Sequence, residues 1–131
     1  EVIKAMDIGT ALGAAFSQSH LGLLIPFALA VIFKTAQGSS TVAVISAAGI
    51  TEPLLAALGL DSEMGRLFTL MALGSGSMMV SHANDAYFWV ISRFGHISSP
   101  TLLRVYSTAG SVMGIVSFVC LSLAYALFSL Q

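Results

Sequence analysis

Charged side chains are scarce in this chain: only 8% of its 131 residues are Asp, Glu, Lys or Arg, while 56% are hydrophobic. A water-soluble domain usually carries about 25% charged residues. The composition therefore excludes an ordinary soluble domain and favours a chain that lipid solvates. The net charge of −1 provides no basic face, so a nucleic-acid partner is not expected.

Cysteine is almost absent as well. The single cysteine, Cys120, excludes an internal disulfide framework. Six methionines are present, but no Cys or His spacing accompanies them, so we expect them to fill gaps in the packing and predict no metal site. The chain opens with Glu1 and shows no basic segment ahead of a cleavable apolar core, from which we expect a piece of a longer protein.

Uninterrupted apolar runs long enough to cross a bilayer are also few. Residues 21–33 make a run of thirteen residues, which as a helix covers about 20 Å of a hydrocarbon core of about 30 Å. Residues 42–58 are interrupted by Glu52 and Pro53. Residues 105–128 contain no charge and no interruption, and they predict a conventional spanning helix.

The order of apolar runs and polar breaks predicts an all-α integral membrane fold. Residues 1–131 form one part of a transporter domain with no internal linker, and we expect four pieces within it. These are an interfacial helix at 1–16, a re-entrant helical hairpin at 17–58, a discontinuous transmembrane helix at 67–91 and a final transmembrane helix at 101–128. Gly110 and Gly114 are four residues apart in the last piece, a spacing that favours close helix packing.

The first polar break, KTAQGSSTVA at 34–43, has the composition of an anion site. Hydroxyl side chains precede a predicted helix start at Ser39, Ser40 and Thr41. Gly38 frees the turn and lets backbone N–H groups approach a ligand, which makes an anion cradle without a fixed positive charge. Lys34 is expected either to add attraction or to extend towards water. The alternative is that the hydroxyls only cap a helix at a buried turn.

The second break, SHAND at 81–85, carries titratable groups. A carboxylate at membrane depth is costly and by default marks an ion or proton pathway, so Asp85 is a predicted proton carrier. His82 lies three residues earlier and is placed to share or tune that proton. Asn84 offers both a donor and an acceptor to a polyhydroxy or carboxylate ligand. The alternative is that Asp85 merely caps the helix that follows.

The stretches AQGSSTVAVISAAG and SHANDAYFW together resemble the gluconate permease family of proton symporters. Members of that family carry an A-Q-G-S-[AS]-T-V-A stretch followed by an S-H-x-N-D-[ST]-x-F-W stretch, and both occur here in that order. The resemblance covers essentially the whole chain, as the C-terminal portion of a longer family member. Ala86 stands where the family often has Ser or Thr, and Tyr87 replaces a smaller residue, which leaves the choice among gluconate, related sugar acids and D-serine open.

The resemblance implies the second half of an inverted-repeat ion-transporter fold. It places the substrate at the hairpin tip and at the break of the discontinuous helix, on Gly38, Ser39, Ser40, Thr41 and Asn84. The proton-coupling residues that it implies are Asp85 and His82. It also implies a homodimer and a first half of the same transporter on the N-terminal side.

These observations predict a multi-pass transporter of the inner membrane, not an enzyme, that takes up gluconate or a related small hydroxycarboxylate with protons. Its expected partners are the carboxylate substrate and membrane lipid, and it needs no cofactor besides the coupling proton. Two other classes stay open. One is a membrane-embedded serine hydrolase, although no G-x-S-x-G elbow is present. The other is a non-transporting structural subunit in which both breaks serve packing alone.

Overall fold

The computed structural model describes residues 20–130, and within that range every regular element is helical. The all-α class is thus confirmed for the described residues. A 3-10 turn at His20–Leu23 leads into five helices, which are α1 (Leu24–Gln37), α2 (Ser40–Thr51), α3 (Glu63–Ser77), α4 (Ala86–Phe94) and α5 (Ser99–Phe128). The interfacial helix predicted at 1–16 lies outside the described residues.

Polar residues at the breaks begin these helices as caps. Ser39 accepts the Val42 N–H at 3.4 Å where α2 begins, and Ser62 accepts the Gly65 N–H at 3.0 Å where α3 begins. Such side chains satisfy first-turn N–H groups that have no partner inside the helix. The predicted capping role of the first break is therefore confirmed at Ser39.

The hairpin of α1 and α2 turns at Gly38, which adopts φ +76° and returns its N–H to the Lys34 carbonyl at 2.8 Å. This left-handed conformation ends α1 at little cost only for a residue without a Cβ. Helix α2 ends at Thr51, where the 3-10 turn Glu52–Leu54 carries Pro53 and directs the chain away. The two arms are about 21 Å and 18 Å long.

Helix α5 is the helix of the described range that is long and apolar enough to cross a membrane. Its thirty residues cover about 45 Å at a rise of about 1.5 Å per residue. The helix contains a π-helical turn at Leu103–Ser107. Ser107 at the end of that turn donates its hydroxyl to the Ser81 carbonyl, so α5 is bound to the break between α3 and α4.

Helices α1 and α3 form the centre of the fold, with α2 and α5 packed against them. Gly114 brings α5 close to α3, because a Cβ added there would lie 2.9 Å from the Ser75 carbonyl oxygen. A Cβ at Gly110 would lie 3.0 Å from the Met78 carbonyl oxygen, so the close packing predicted for this glycine pair is confirmed. The apolar core beside it includes the stacked rings of Phe27 and Phe118, whose centroids are 4.2 Å apart.

An irregular stretch at 78–85 separates α3 from α4. Val80 within it adopts φ +29°, a conformation that is strained for a β-branched residue. The structure therefore has helix, irregular stretch and helix from Glu63 to Phe94, wider than the predicted range of 67–91. This stretch lies against the tip of the α1–α2 hairpin, and the contact between them forms the candidate site.

Candidate functional site

The hairpin tip and the irregular stretch meet through their backbones at Gly38. A Cβ placed on Gly38 would lie 2.1 Å from the Asn84 carbonyl oxygen and 2.9 Å from the Asp85 nitrogen. No side chain fits in that space, so glycine is required here both for its conformation and for the approach of the second segment. The Asn84 amide strengthens the contact by donating to the Thr35 carbonyl at 2.7 Å.

A buried ion pair joins the same two segments. The Lys34 Nζ lies 2.8 Å from the Asp85 Oδ2, and both residues are almost fully buried, with exposures of 2% and 3%. The same ammonium group donates to the Gly38 carbonyl at 2.7 Å. Breaking such a pair from one side leaves an uncompensated buried charge and costs about 3–5 kcal/mol.

Asp85 serves a second purpose in the same position. Its Oδ1 accepts the Tyr87 N–H at 3.0 Å, which caps α4, while its Oδ2 holds Lys34. The two interpretations of Asp85 from sequence, a helix cap or a functional charge, are therefore compatible in one side chain. The capping role is confirmed by this geometry, and it leaves one carboxylate oxygen directed at the hairpin.

Lys34 was expected either to add attraction beside the anion cradle or to extend towards water, and its pairing with Asp85 was not predicted. The expectation that it extends towards water is wrong, because its side chain is buried against the hairpin tip. The anion cradle at the hairpin tip was expected to have no fixed positive charge, but Lys34 lines the cavity there. The sequence did contain a signal for this pairing. Lys34 is an isolated cation beside one polar break and Asp85 is an isolated carboxylate in the other, and in an apolar environment each charge needs an opposite charge as its partner.

The hydroxyl groups of the tip are divided between different tasks. Ser39 caps α2, while Ser40 donates its hydroxyl to the Ser77 carbonyl at 2.9 Å and so fastens the tip to the end of α3. Thr41 is exposed on the first turn of α2. Because the N-terminus of α2 presents backbone N–H groups with no partner inside the helix, this region retains the means to bind an anion.

The site residues predicted from sequence, with one exception, line a single cavity of about 270 Å³. Those that line it are Gly38, Ser39, Ser40, Thr41, Asn84 and Asp85. Lys34 also lines this cavity, and together with Asp85 it lines a neighbouring cavity of about 340 Å³ against α5. The ion pair is therefore accessible from two cavities.

His82 is the exception, because it does not line the first cavity. Its ring Nδ1 accepts the Asn84 N–H at 3.4 Å, and its carbonyl accepts the Asp85 N–H at 2.9 Å. Across residues 20–130, no hydrogen bond joins the His82 ring to the Asp85 carboxylate. The arrangement also lacks the serine–histidine contact of a hydrolase triad, since Ser40 donates to Ser77 instead.

Comparisons with known proteins agree with the resemblance seen in the two motifs. A family model described as GntP family permease matches residues 1–127. The chain is 30% identical over 130 residues to the low-affinity gluconate transporter of Escherichia coli K12, a match that covers 98% of this chain and 29% of that protein. It is also 30% identical over 127 residues to the gluconate permease of Pseudomonas aeruginosa, covering 94% of this chain and 28% of that protein.

A third relative carries a different substrate in its name. The Gnt-II system L-idonate transporter of Escherichia coli K12 is 29% identical over 103 residues, a match that covers 76% of this chain and 23% of that protein. The chain thus spans less than a third of the length of these three relatives. No solved structure matches the chain.

These relatives are named as transporters and permeases, and none of the three is named as an enzyme. The predicted resemblance is confirmed by a family match that covers nearly the whole chain. We conclude that the chain is a membrane protein that belongs to the GntP permease family.

Proposed function

We propose that this chain forms the substrate-binding part of a secondary transporter in the inner membrane that takes up gluconate, or a related small hydroxycarboxylate, together with protons. The observation that carries the proposal is the meeting of the hairpin tip and the irregular stretch in one polar cavity beside a buried ion pair. The names of the relatives supply the substrate class, since two of them are called gluconate transporters or permeases.

The lengths of the helices favour a re-entrant hairpin. Arms of about 21 Å and 18 Å are too short for a hydrocarbon core of about 30 Å, so α1 and α2 enter the membrane and return to the same side. Helices α3 and α4 similarly form the two halves of one discontinuous spanning helix. Irregular backbone is tolerated at membrane depth only inside protein or beside water, which agrees with a lined cavity at the tip. The rest of the transporter supplies the first, inverted repeat.

The substrate carboxylate binds at the N-terminus of α2. Gly38, Ser39, Ser40 and Thr41 line the cavity there, and the unpaired N–H groups and the helix dipole favour a negative charge. The side-chain oxygen of Asn84 has no hydrogen-bond partner within residues 20–130, so it is free to accept from a substrate hydroxyl. A volume of about 270 Å³ is near the lower end of ligand pockets, which run from roughly 300 to 1,000 Å³.

Asp85 carries the coupling proton in this proposal. It is the carboxylate that lines the cavity in the described part of the chain, and it lies beside the tip that receives the substrate. His82 lies next to it in the irregular stretch and hydrogen-bonds to the backbone of Asn84. In this position His82 sets the conformation of the segment that carries Asp85 and tunes the proton exchange.

Uptake of radiolabelled gluconate tests the proposal. The full-length protein is expressed in cells that lack gluconate uptake, and accumulation is measured with and without a protonophore. We expect protonophore-sensitive accumulation that unlabelled L-idonate reduces by competition. Absence of accumulation with gluconate, L-idonate and D-serine alike would contradict the proposed function.

Two substitutions test the site within the same assay. Ser40→Ala and Asn84→Ala should each lower uptake about ten- to hundredfold, because each removes a polar group from the cavity. Ser122→Ala is the matched control, since the Ser122 hydroxyl also donates to a backbone carbonyl but lies in α5 away from the cavity. Normal uptake by both site variants would favour a structural role for the two breaks.

A further inference from the structure

We propose that Lys34 is the counter-ion of the substrate carboxylate, and that Asp85 competes with the substrate for it, so that substrate binds only after Asp85 has taken up a proton. This inference rests on the proposed function and deepens it by naming the group through which substrate and proton are coupled. The sequence left open that Lys34 adds attraction for an anion, but neither its pairing with Asp85 nor an exchange of partners was predicted.

The geometry of the ion pair is the first support. A lysine ammonium group has three N–H donors, and two are used, one by the Asp85 carboxylate and one by the Gly38 carbonyl. Within residues 20–130 the third N–H has no partner. Lys34 is nevertheless almost fully buried and lines the cavity at the hairpin tip. A carboxylate that enters this cavity therefore meets a buried cation with one free donor.

Charge balance is the second support. While Asp85 is ionised, the pair is neutral, and an entering carboxylate would place two negative charges around one ammonium group in a poorly solvated cavity. A proton on Asp85 removes one of them and leaves Lys34 free to pair with the substrate. One anion and one proton then enter the site together without a change in its net charge.

No other nearby group is suited to this exchange. The remaining titratable side chains that line the two cavities are the phenols of Tyr87 and Tyr106, and in the described part of the chain neither cavity has a second carboxylate. His82 contacts the neighbouring backbone and makes no hydrogen bond with Lys34 or Asp85 side chains in the described part of the chain. Asp85 is thus the group whose proton controls access to Lys34.

The exchange has a measurable consequence for affinity. If only the protonated form binds, one proton is taken up with each substrate, and linkage requires the dissociation constant to rise about tenfold per pH unit once Asp85 ionises. In Asp85→Asn the competitor is neutral at every pH. That variant should bind gluconate with a dissociation constant that does not change with pH and that equals or is below the wild-type value at high pH.

Equilibrium binding of gluconate to the purified full-length protein tests the proposal, measured by calorimetry between about pH 5.5 and 8.5, where gluconate itself stays ionised. The wild type should show the tenfold slope and Asp85→Asn should not. Lys34→Arg should keep the slope, because it keeps the cation. Asp61→Asn is the matched control, since Asp61 is an exposed aspartate in the loop before α3, and it should retain the wild-type slope.

A double variant covers the case in which Asp85→Asn alone does not fold around its unpaired lysine. Lys34→Gln with Asp85→Asn leaves no buried charge, and it should bind gluconate about ten- to hundredfold more weakly than the wild type at low pH, with no pH dependence. Wild-type affinity in the double variant would overturn the role of Lys34. The role of Asp85 would be overturned by a wild-type dissociation constant that does not change with pH, or by a folded Asp85→Asn variant that keeps the tenfold slope. It would also be overturned if the slope disappeared in His82→Gln.

The failures of the two proposals are distinguishable. A wild-type protein that binds no gluconate, L-idonate or D-serine at any pH contradicts the proposed function itself. If the wild-type protein binds and transports gluconate, the proposed function holds. A result that contradicts the role of Lys34 or Asp85 then contradicts only the exchange of partners at Lys34.

Discussion

Two contacts within the described part of this molecule differ in kind. The contact of α5 with α3 is apolar, with Gly110 and Gly114 placed against backbone carbonyls and Phe68 packed against the ring of Tyr125. The contact of the hairpin tip with the irregular stretch is polar, with Gly38 against backbone and Lys34 buried against Asp85. The first contact is stabilised by close packing alone, whereas the second also requires that the buried charges of Lys34 and Asp85 balance.

The difference shows how each contact is able to contribute to function. A close contact of small residues in a membrane is stabilised by packing, so its strength does not depend on pH. A buried ion pair is stable only while both charges are present, so it responds to a proton or to an entering anion. The apolar contact of α5 with α3, called the rigid contact below, positions the helices. In the proposed mechanism the polar contact is the one that a substrate opens.

Removing one charge of the polar contact should destabilise the molecule most. Lys34→Gln leaves the buried Asp85 carboxylate without a counter-charge, which should destabilise the fold by about 3–5 kcal/mol and abolish gluconate uptake. The measurement is thermal unfolding of the purified protein. The double variant Lys34→Gln with Asp85→Asn should recover most of the lost stability. A double variant no more stable than Lys34→Gln would mean that the polar contact does not depend on charge balance.

The next effect concerns the backbone approach at the tip. Gly38→Ala should cost about 2–3 kcal/mol and reduce uptake strongly, because the added Cβ strains the left-handed turn and separates the tip from Asn84. Gly49→Ala is the matched control, since a Cβ added at Gly49 in α2 meets nothing within 4 Å. Equal stability of the two alanine variants would contradict the close approach at Gly38.

A smaller effect is expected at the rigid contact. Gly114→Ala should cost about 1–2 kcal/mol, because the new methyl group would press on the Ser75 carbonyl and the flexible Met79 side chain. Unlike the changes at the polar contact, it should leave the pH dependence of gluconate binding unchanged. A shifted pH dependence in Gly114→Ala would mean that the two contacts are coupled, which calorimetry over the same pH range detects.

The smallest effect should come from the hydrogen bond between the tip and α3. Ser40→Ala removes the bond to the Ser77 carbonyl and should cost about 1 kcal/mol of stability, while its effect on uptake should be larger because Ser40 also lines the cavity. Ser40→Thr keeps a hydroxyl and should therefore retain most of the stability and most of the uptake. Loss of stability without loss of uptake would mean that Ser40 has only a structural role.

The sequence was sufficient to predict the rigid contact and most of the site. The spacing of Gly110 and Gly114 is a local pattern on one helix, and it predicts close packing whatever the partner is. Residues of both breaks line one cavity, as predicted, except His82. Polar side chains in an otherwise apolar chain must share a polar environment, whereas their roles towards substrate and proton stay predictions. The helix starts were placed less well: α3 begins earlier than predicted, since the Ser62 cap extends it through a polar first turn.

The pairing of Lys34 with Asp85 was not predicted, for a physical reason. The two residues are 51 positions apart, and no periodicity links residues on different helices. A lysine at the end of a short apolar helix satisfies the pattern of a side chain that extends to water equally well. Only the close approach at Gly38 brings the two charges within 2.8 Å, and that approach depends on the tertiary fold.

Disulfide cross-linking in native membranes reports whether the hairpin tip and the irregular stretch lie side by side, on which the site and both proposals depend. Thr35→Cys and Asn84→Cys are introduced together into a full-length protein otherwise free of cysteine, at two positions that a hydrogen bond of 2.7 Å joins. We expect rapid intramolecular cross-linking on oxidation, detected as protection from maleimide–polyethylene glycol, and slower cross-linking when gluconate fills the cavity. Full maleimide labelling after oxidation, as in the two single-cysteine variants, would contradict this side-by-side placement.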